Sequence, residues 1–348
     1  SRNGIDCTGI EHKMGIHASP TCVMSMENAT GYLVGEPHKG MRVMFTMMNT
    51  ARVGVGLEGV ALGEIAYQTA LEFAKDRRQS RSLDKEKRDP NAAADTIVVH
   101  PDVRRMLLTI KASTEALRGL AYYTAIQLDI AHHDPDASRR EQASDLVALL
   151  TPIIKSYGTE KGHQNTNDAM QICGGAGYTT DWSIEQYVRD LRIALIYEGT
   201  NHIQALDLVG RKLPMAGGRL FQTFAGKITE FIARNKDNAA MAEFMGPIKD
   251  ASKKLNAATL QLSARGMEDA EEAGASASNY LNLFALTSLA FIWGLQLEYA
   301  TKKTGKQYET KFKTARFFFQ QILPEIDSYV GKLAFTKDAM MDFDVEEF

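Results

Sequence analysis

The chain has few cysteines and almost no net charge. Its three cysteines, Cys7, Cys22 and Cys173, are too few and too scattered for a disulfide framework, and none has the paired spacing of a zinc site. We therefore expect a reducing, cytoplasmic environment. With 40 basic and 43 acidic residues, the formal net charge of −3 gives no electrostatic reason to expect nucleic acid or an anionic membrane surface as a partner.

A secretory start and an uninterrupted membrane-length apolar run are also missing. The segment SRNGIDCTGI (1–10) lacks the basic stretch followed by an apolar stretch that marks an export signal. The segment 279–300 is long enough to cross a membrane, but its polar residues Asn279, Asn282 and Gln296 favour a buried core helix. We expect no membrane span.

Strand-forming sequence is scarce and lies within the first 36 residues. TCVMSM (21–26) and GYLVG (31–35) are β-prone, and the polar segment ENAT between them predicts a turn. A lone hairpin is marginal in water, so this one must pair with other strands. Because almost no strand signal follows and the chain opens without an initiator Met, we expect the missing strands to lie upstream of Ser1.

Helical periodicity dominates from residue 41 onward. An apolar stripe at helical spacing predicts a first long helix over residues 41–79. Gly54, Gly56, Gly59 and Gly63 interrupt it, and each costs roughly 0.8 to 1 kcal/mol relative to alanine in a helix interior. Their number requires a close neighbour, which is either another helix or a ligand.

Proline, glycine and polar residues divide the remaining chain into further helices. The polar segment 80–99 predicts a loop or lid, followed by a second helix from Pro101 to His133. A third helical region spans about 139–173, where Thr151-Pro152 either restarts or kinks it. After these come the glycine turn GGAGY (174–178), an amphipathic helix (184–193), a helix capped by Asn201, the linker PMAGG (214–218) and about four helices over 219–348.

One carboxylate stands out in LIYEGTNHIQ (195–204). Glu198 follows apolar residues, and an apolar setting destabilises its charged form, which makes the carboxylate a stronger base. Gly199 lets a substrate carbonyl approach the backbone N–H, and Thr200 and His202 add polar groups. The alternative is a solvated loop residue, the commoner role of a glutamate beside glycine before a helix.

Two further features have a ligand-binding and a structural interpretation. The glycines of QICGGAGY (171–178) either expose N–H groups to a phosphate or adenine, or simply end a helix. Arg77 and Arg78 either clamp a pyrophosphate or complement a helix C-terminus. Each signal is weak on its own, so their order along the chain matters more.

That order resembles one enzyme family. QICGGAGY…EQYVRDLRIALIYEGTNHIQ (171–204) resembles the C-terminal signature of the acyl-CoA dehydrogenase family, a Gln-x-x-Gly-Gly turn, an Arg-Asp helix and a Tyr-Glu-Gly-Thr loop. KMGIHASPTC (13–22) resembles the family's late β-domain segment, and residues 51–79 resemble its first long C-terminal helix. With its C-terminal extension, the chain is similar to the large-subunit branch that includes 3-methylmercaptopropionyl-CoA dehydrogenases and related fatty acyl-CoA dehydrogenases.

The resemblance implies a mainly α fold in three regions. Residues 1–40 are the end of a β middle domain, residues 41–214 a four-helix C-terminal bundle with the catalytic base, and residues 215–348 an additional α-helical domain. It also implies a fatty-acid β-oxidation activity, in which an acyl-CoA is dehydrogenated between its α- and β-carbons.

Site residues are likewise implied by the resemblance, position by position. Glu198 matches the base that removes the α-proton while a hydride passes from the β-carbon to flavin N5. Gly199 matches the glycine whose neighbouring backbone N–H holds the thioester oxygen, and Tyr197 lines the acyl channel. Asn49 and Arg52 match a pair that contacts the CoA part of the substrate.

The implied cofactor is FAD. The implied partners are an acyl-CoA, electron-transferring flavoprotein as electron acceptor, the upstream part of the same protein, and a second copy in a homodimer. Part of the FAD site is supplied to a neighbouring subunit in this family. The positions that match its FAD contacts are Arg77, Gln79, Gln171, Gly174, Gly175, Thr200 and His202.

Two other functions stay open. An acyl-CoA oxidase keeps the base and FAD but passes electrons to oxygen, and a non-catalytic helical scaffold keeps the motifs without turnover. The other histidines show no convergent spacing with cysteines or carboxylates, so no metal site is predicted. Met41, Met44, Met47 and Met48 fit either a pliable wall for an acyl chain or, more plainly, a methionine-rich core helix.

Overall fold

The computed structural model describes residues 2–348, apart from the side chains of Thr46 and Asn49. Within them the fold is mainly α, as predicted. The strands are β1 (Ile5–Ile10) and β2 (Cys22–Met26). The helices of the first part are α1 (Gly40–Asp76), α2 (Pro101–His133), α3 (Ala137–Cys173), α4 (Ile184–Arg192) and α5 (Asn201–Asp207). Those of the second part are α6 (Arg219–Asn235), α7 (Ala242–Glu268), α8 (Ala270–Ala300), α9 (Lys306–Phe317), α10 (Glu325–Leu333) and α11 (Asp338–Met341).

The two strands pair differently from the predicted hairpin. β1 runs antiparallel to β2, with Ile5 opposite Met26 and an irregularity between Cys7 and Gly9. The prediction of a strand at 31–35 was wrong, and a strand at 5–10 was missed. The reason lies in Asn3, whose side chain bonds both the N–H and the carbonyl of Thr30, at 2.9 and 3.0 Å. This holds the ENAT segment beside the start of β1, so it does not fold the chain back onto β2.

The strand pair is fixed to the helices through the loop that joins its strands. Asp190 on α4 accepts a hydrogen bond from the Ile16 N–H at 2.6 Å, and Arg189 donates to the Met14 carbonyl at 2.7 Å. A Cβ added to Gly15 would lie 2.7 Å from the Arg189 carbonyl oxygen, so only glycine allows this approach. The loop between the strands therefore positions β1 and β2 against the α4 region.

Of the four interior glycines of α1 singled out from the sequence, three allow close contact with another helix. A Cβ on Gly59 would lie 2.2 Å from the Gly158 carbonyl oxygen of α3, and one on Gly56 would lie 2.8 Å from that of Ile154. Gly63 faces Thr114 of α2 at 3.2 Å. Helix packing is therefore the reason for these residues, whereas an added Cβ on Gly54 would have no neighbour within 4 Å.

The long helices otherwise follow the predictions, with small shifts. α2 has the predicted bounds, and α3 begins at Ala137 because the Asp136 side chain caps its first N–H groups. α3 runs without interruption through Pro152, so the chain does not restart there. The prediction of a methionine-rich core helix was wrong for the described chain, because Met41 and Met47 are 64% and 65% exposed.

The last helices share one core with the bundle. Leu120 of α2, Leu149 of α3, Phe224 of α6 and Phe291 of α8 belong to a single buried apolar cluster. Helix α8 is long and apolar enough to cross a membrane, but 83% of that stretch is buried inside the protein, as expected of a core helix. The number of helices after residue 218 was underestimated, since six α-helices lie within the described residues there.

Candidate active site

The loop that carries Glu198 joins α4 to α5 with an unusual backbone. Glu198 has a φ of +58° and Gly199 a φ of +83°, both in the left-handed region. Such a conformation costs a non-glycine residue on the order of 1–3 kcal/mol, so surrounding contacts must hold it. Thr200 ends the loop as the N-cap of α5, its hydroxyl oxygen accepting from the Ile203 N–H at 3.3 Å. The prediction of Asn201 as the cap was wrong by one residue.

Three buried side chains hold the two carbonyl groups of this loop. Arg52 of α1 donates to the Glu198 carbonyl at 3.2 Å, and Lys155 of α3 donates to the Gly199 carbonyl at 2.7 Å. The Gln204 amide of α5 donates to both carbonyls at 3.2 Å. We call Arg52, Lys155 and Gln204 the loop clamp. Because both carbonyls point into the clamp, the backbone path of the loop is set by α1, α3 and α5 together.

Lys155 is the most unexpected member of the clamp. Its side chain is fully buried, and it also donates to the Asn201 side-chain oxygen at 3.1 Å. Burial, helped by the charge of Arg52, lowers the pKa of Lys155 from 10.5 to about 8, while Glu198 and Glu58 act in the opposite direction. Sequence reasoning missed this residue, although a lysine within the apolar run LLTPIIKSYG was a usable signal.

The Glu198 carboxylate does not point into open solvent. Its Oε2 atom is buried and has no hydrogen-bond partner, while the residue as a whole is half-buried. A buried carboxylate oxygen without a partner is costly, and a catalytic role is one explanation for such a group in a native protein. The unpartnered oxygen therefore makes Glu198 the candidate base of this site.

Tyr197 and Glu58 form a second polar contact beside the base. The Tyr197 hydroxyl lies 2.6 Å from both carboxyl oxygens of Glu58 on α1. Burial raises the pKa of the Glu58 carboxyl, the Tyr197 hydrogen bond lowers it, and the charge of Glu198 raises it further. Burial and the Glu58 hydrogen bond raise the pKa of Tyr197. Glu58 was not predicted, because helical periodicity alone does not indicate that a glutamate inside a helix will contact this loop.

Gly199 is required for two reasons. Its positive φ is rarely adopted by residues with a Cβ, and an added Cβ would lie 2.8 Å from the Gln204 amide nitrogen. A glycine here thus lets the clamp reach the loop carbonyls.

Of the two predicted CoA contacts, only the side chain of Arg52 lies within the described residues. Arg52 is only 5% exposed, and besides the Glu198 carbonyl it faces Asp207 at 3.7 Å. Its guanidinium is thus committed to positioning the loop, and its contact with CoA stays a prediction. The side chain of Asn49 lies outside the described residues.

Five of the predicted cofactor positions line one cavity of about 600 Å³. Arg77 and Gln79 follow the end of α1, where an antiparallel bridge pairs Arg78 with Thr96, a few residues before α2. His100, which was not predicted, also lines the cavity and contacts the Gln79 carbonyl at 2.9 Å. The predicted residues in the cavity wall are Arg77, Gln79, Gln171, Gly174 and Gly175.

This cavity has the donors that a dinucleotide needs. Arg77 supplies a guanidinium for phosphate, and Gln79 and Gln171 supply amides. Gly174 has a φ of +59°, and added Cβ atoms on Gly174 and Gly175 would have no neighbour within 4 Å, so a ligand can approach this backbone closely. The donor set fits a group that combines a pyrophosphate with a polar ring.

Thr200 and His202 lie apart from that cavity. Thr200 caps α5, and His202 contacts the Ser278 hydroxyl of α8 at 3.0 Å. His202 lines another cavity of about 350 Å³, with walls from α3, α8 and α10. The seven predicted cofactor positions therefore fall in two places. Within the described residues, no group of three or more metal-ligating side chains is found.

Two protein-family models match the chain. The one described as "Acyl-CoA dehydrogenase, C-terminal domain" matches residues 38–213. The one described as "Acetyl-CoA dehydrogenase C-terminal like" matches residues 224–344.

Curated proteins and solved structures give similar matches. The chain is 40% identical to a 3-methylmercaptopropionyl-CoA dehydrogenase of Ruegeria pomeroyi, over 98% of this chain and 58% of that protein. It is 33% identical to the broad-specificity linear acyl-CoA dehydrogenase FadE5 of Mycobacterium tuberculosis, over 100% and 60%. It thus spans about three fifths of the length of these relatives. An acyl-CoA dehydrogenase complexed with FAD from Bacillus anthracis has the same fold, with a TM-score of 0.77 at 23% identity over 95% of this chain and 56% of that one.

Proposed function

Because the chain belongs to the acyl-CoA dehydrogenase family, we propose that it is the base-bearing part of an FAD-dependent acyl-CoA dehydrogenase. The reaction removes a proton from the α-carbon and a hydride from the β-carbon of an acyl-CoA thioester. The observation that supports this most is the buried, unpartnered Oε2 of Glu198 on a loop fixed by three side chains.

The residues of the chain supply the proton transfer and the positioning. Glu198 accepts the α-proton, which requires a carboxylate held within hydrogen-bond reach of that carbon. With both loop carbonyls turned into the clamp, backbone N–H groups near Gly199 are left for the thioester oxygen. A donor at that oxygen stabilises the negative charge that develops as the α-proton leaves. Tyr197 lines the acyl channel beside the base.

The cofactor proposed is FAD. The cavity of Arg77, Gln79, Gln171, Gly174 and Gly175 would hold the pyrophosphate and adenine end. When bound, FAD supplies the acceptor for the hydride. Thr200 and His202, which follow the base in the chain and lie apart from this cavity, would contact a second FAD. Two separated sets of contacts are what a homodimer with shared cofactors requires, and we propose that state.

The substrate, acceptor and domain organisation are proposals as well. We propose a fatty acyl-CoA or 3-methylmercaptopropionyl-CoA as substrate, electron-transferring flavoprotein as acceptor, and a cytoplasmic location. Residues 1–40, 41–214 and 215–348 are proposed as the end of the β domain, the bundle and the additional helical domain. The upstream part of the protein would complete the site.

The test uses the full-length protein with its flavin. Wild-type protein mixed anaerobically with an acyl-CoA should lose its flavin absorbance, and Glu198→Gln should retain flavin but show no such loss. A Glu198→Gln variant that bleaches as fast as wild type would refute the assignment of the base. Rapid re-oxidation of the bleached flavin by air, without electron-transferring flavoprotein, would indicate an oxidase instead. A protein that binds neither flavin nor acyl-CoA would be a scaffold.

A further inference from the structure

Glu58 places a carboxyl group next to the loop that carries the base. It is half-buried on α1, and its oxygens lie 2.6 Å from the Tyr197 hydroxyl. Tyr197 is also half-buried, so the pair is not sealed inside the core. Tyr197 directly precedes Glu198, and the charge of Glu198 acts on Glu58. The two carboxyl groups therefore share one local environment.

The geometry of α1 places Glu58 along this loop. Arg52, less than two turns before Glu58, contacts the Glu198 carbonyl, and Val55, one turn before it, is buried in a small cluster with Tyr197. Gly54 lies four residues before Glu58, on the same stripe of the helix. Gly54 is exposed, and a Cβ there would meet nothing within 4 Å. Among the described residues, no other helix therefore packs against Gly54, one turn before Glu58 on this stripe.

We propose that Glu58, held by the Tyr197 hydroxyl, is a specificity-determining residue that makes this site select short acyl groups over long alkyl chains. The inference rests on the proposed function, because it requires Tyr197 to line an acyl channel. It concerns a residue outside the predicted site.

The physical reason for this selectivity is the free-energy cost of desolvating a carboxyl group. Transfer of a long alkyl chain out of water is favourable. Beside Glu58, however, its methylenes would displace water from the carboxyl group without replacing the lost hydrogen bonds. The Tyr197 hydroxyl satisfies only part of the acceptor capacity of the carboxyl. A short acyl group leaves that water in place. Glu58 therefore penalises each methylene that reaches it.

The experiment compares two substrates on full-length, flavin-loaded protein. For wild type, kcat/KM should be higher with butyryl-CoA than with lauroyl-CoA. In Glu58→Leu, the lauroyl to butyryl ratio should rise roughly tenfold or more, the size of effect that pocket contacts give. Glu58→Gln keeps a polar group that accepts from Tyr197, so its ratio should stay near that of wild type. Glu72→Leu, at an exposed α1 glutamate, is the matched control and should leave the ratio unchanged.

Binding of unreactive 3-thia-acyl-CoA analogues gives a readout that does not depend on turnover. Glu58→Leu should tighten binding of the long analogue but not of the short one. If Glu58→Leu lowers both kcat/KM values equally, Glu58 only connects α1 to the loop through its hydrogen bond with Tyr197, and the inference is wrong. If wild type binds the analogues without turning over any acyl-CoA, the proposed function fails, and the length dependence of binding still decides the role of Glu58. Absence of binding in wild type overturns both.

Discussion

Replacing Lys155 by methionine tests whether the loop clamp sets the activity. The ammonium group donates to the Gly199 carbonyl at 2.7 Å and to the Asn201 side chain at 3.1 Å. Methionine fills a similar volume without charge or donors. Each hydrogen bond from a charged group contributes roughly 1.5–3 kcal/mol, but removing a buried charge returns its desolvation cost, which is of similar size.

In the Lys155→Met variant, the Gly199 carbonyl would still accept the hydrogen bond from the Gln204 amide, which lies 3.2 Å away. The free energy of unfolding should therefore change by no more than about 2 kcal/mol. The loop should respond more strongly, because Glu198 holds a strained backbone that the clamp maintains. A displacement of the base by about 1 Å costs on the order of 100-fold in rate. We expect kcat of Lys155→Met to fall by about that factor.

The assay measures kcat by reduction of a dye acceptor and stability by urea unfolding, both on full-length protein. Lys161→Met is the matched control, because Lys161 is also buried on α3 but makes no hydrogen bond to the loop among the described contacts. It should keep kcat near that of wild type. A Lys155→Met protein whose kcat stays within about threefold of wild type would show that the clamp is dispensable.

Lys155 also predicts a dependence of stability on pH. Its pKa is about 8 in the folded chain, below its ordinary value of 10.5. Between these values the unfolded chain binds more protons, so stability should rise with pH, by at most about 1.4 kcal/mol per pH unit. The contribution is fully present above pH 10.5 and is lost as pH falls through 8. Lys155→Met should lack this rise in urea unfolding experiments from pH 7.5 to 10, and an equal rise in both proteins would contradict the assignment.

Three glycine substitutions test the helix packing and the loop. Gly59→Ala should lower the free energy of unfolding by about 1–3 kcal/mol, because its Cβ would meet the Gly158 carbonyl at 2.2 Å; Gly54→Ala, with open space, should raise it by up to ~1 kcal/mol. Equal effects in thermal unfolding would refute the contact. Gly199→Ala should cost about 1–3 kcal/mol and most of the activity, since its Cβ would meet Gln204 at positive φ; retention of wild-type kcat would show that the loop tolerates a side chain.

The sequence predicted the helices well where local signals were strong. Pro101 and the helical stripe after it gave the bounds of α2, because proline at the first turn and apolar period are properties of the local chain. The predicted strand pairing was wrong: β2 pairs with β1, and Asn3 holds Thr30 beside the start of β1. Local strand propensity does not indicate which segment of the chain a β-prone segment will pair with.

The sequence by itself determined the family, the mainly α fold and the position of Glu198, because motif order and periodicity lie along the chain. Only the tertiary structure revealed the loop clamp and the Glu58–Tyr197 pair. Along the chain, Arg52 is 146 residues from Glu198, Lys155 is 44 residues from Gly199, and Glu58 is 139 residues from Tyr197. A buried donor has meaning only beside its acceptor, and packing of α1 against α3 decides which residues become neighbours.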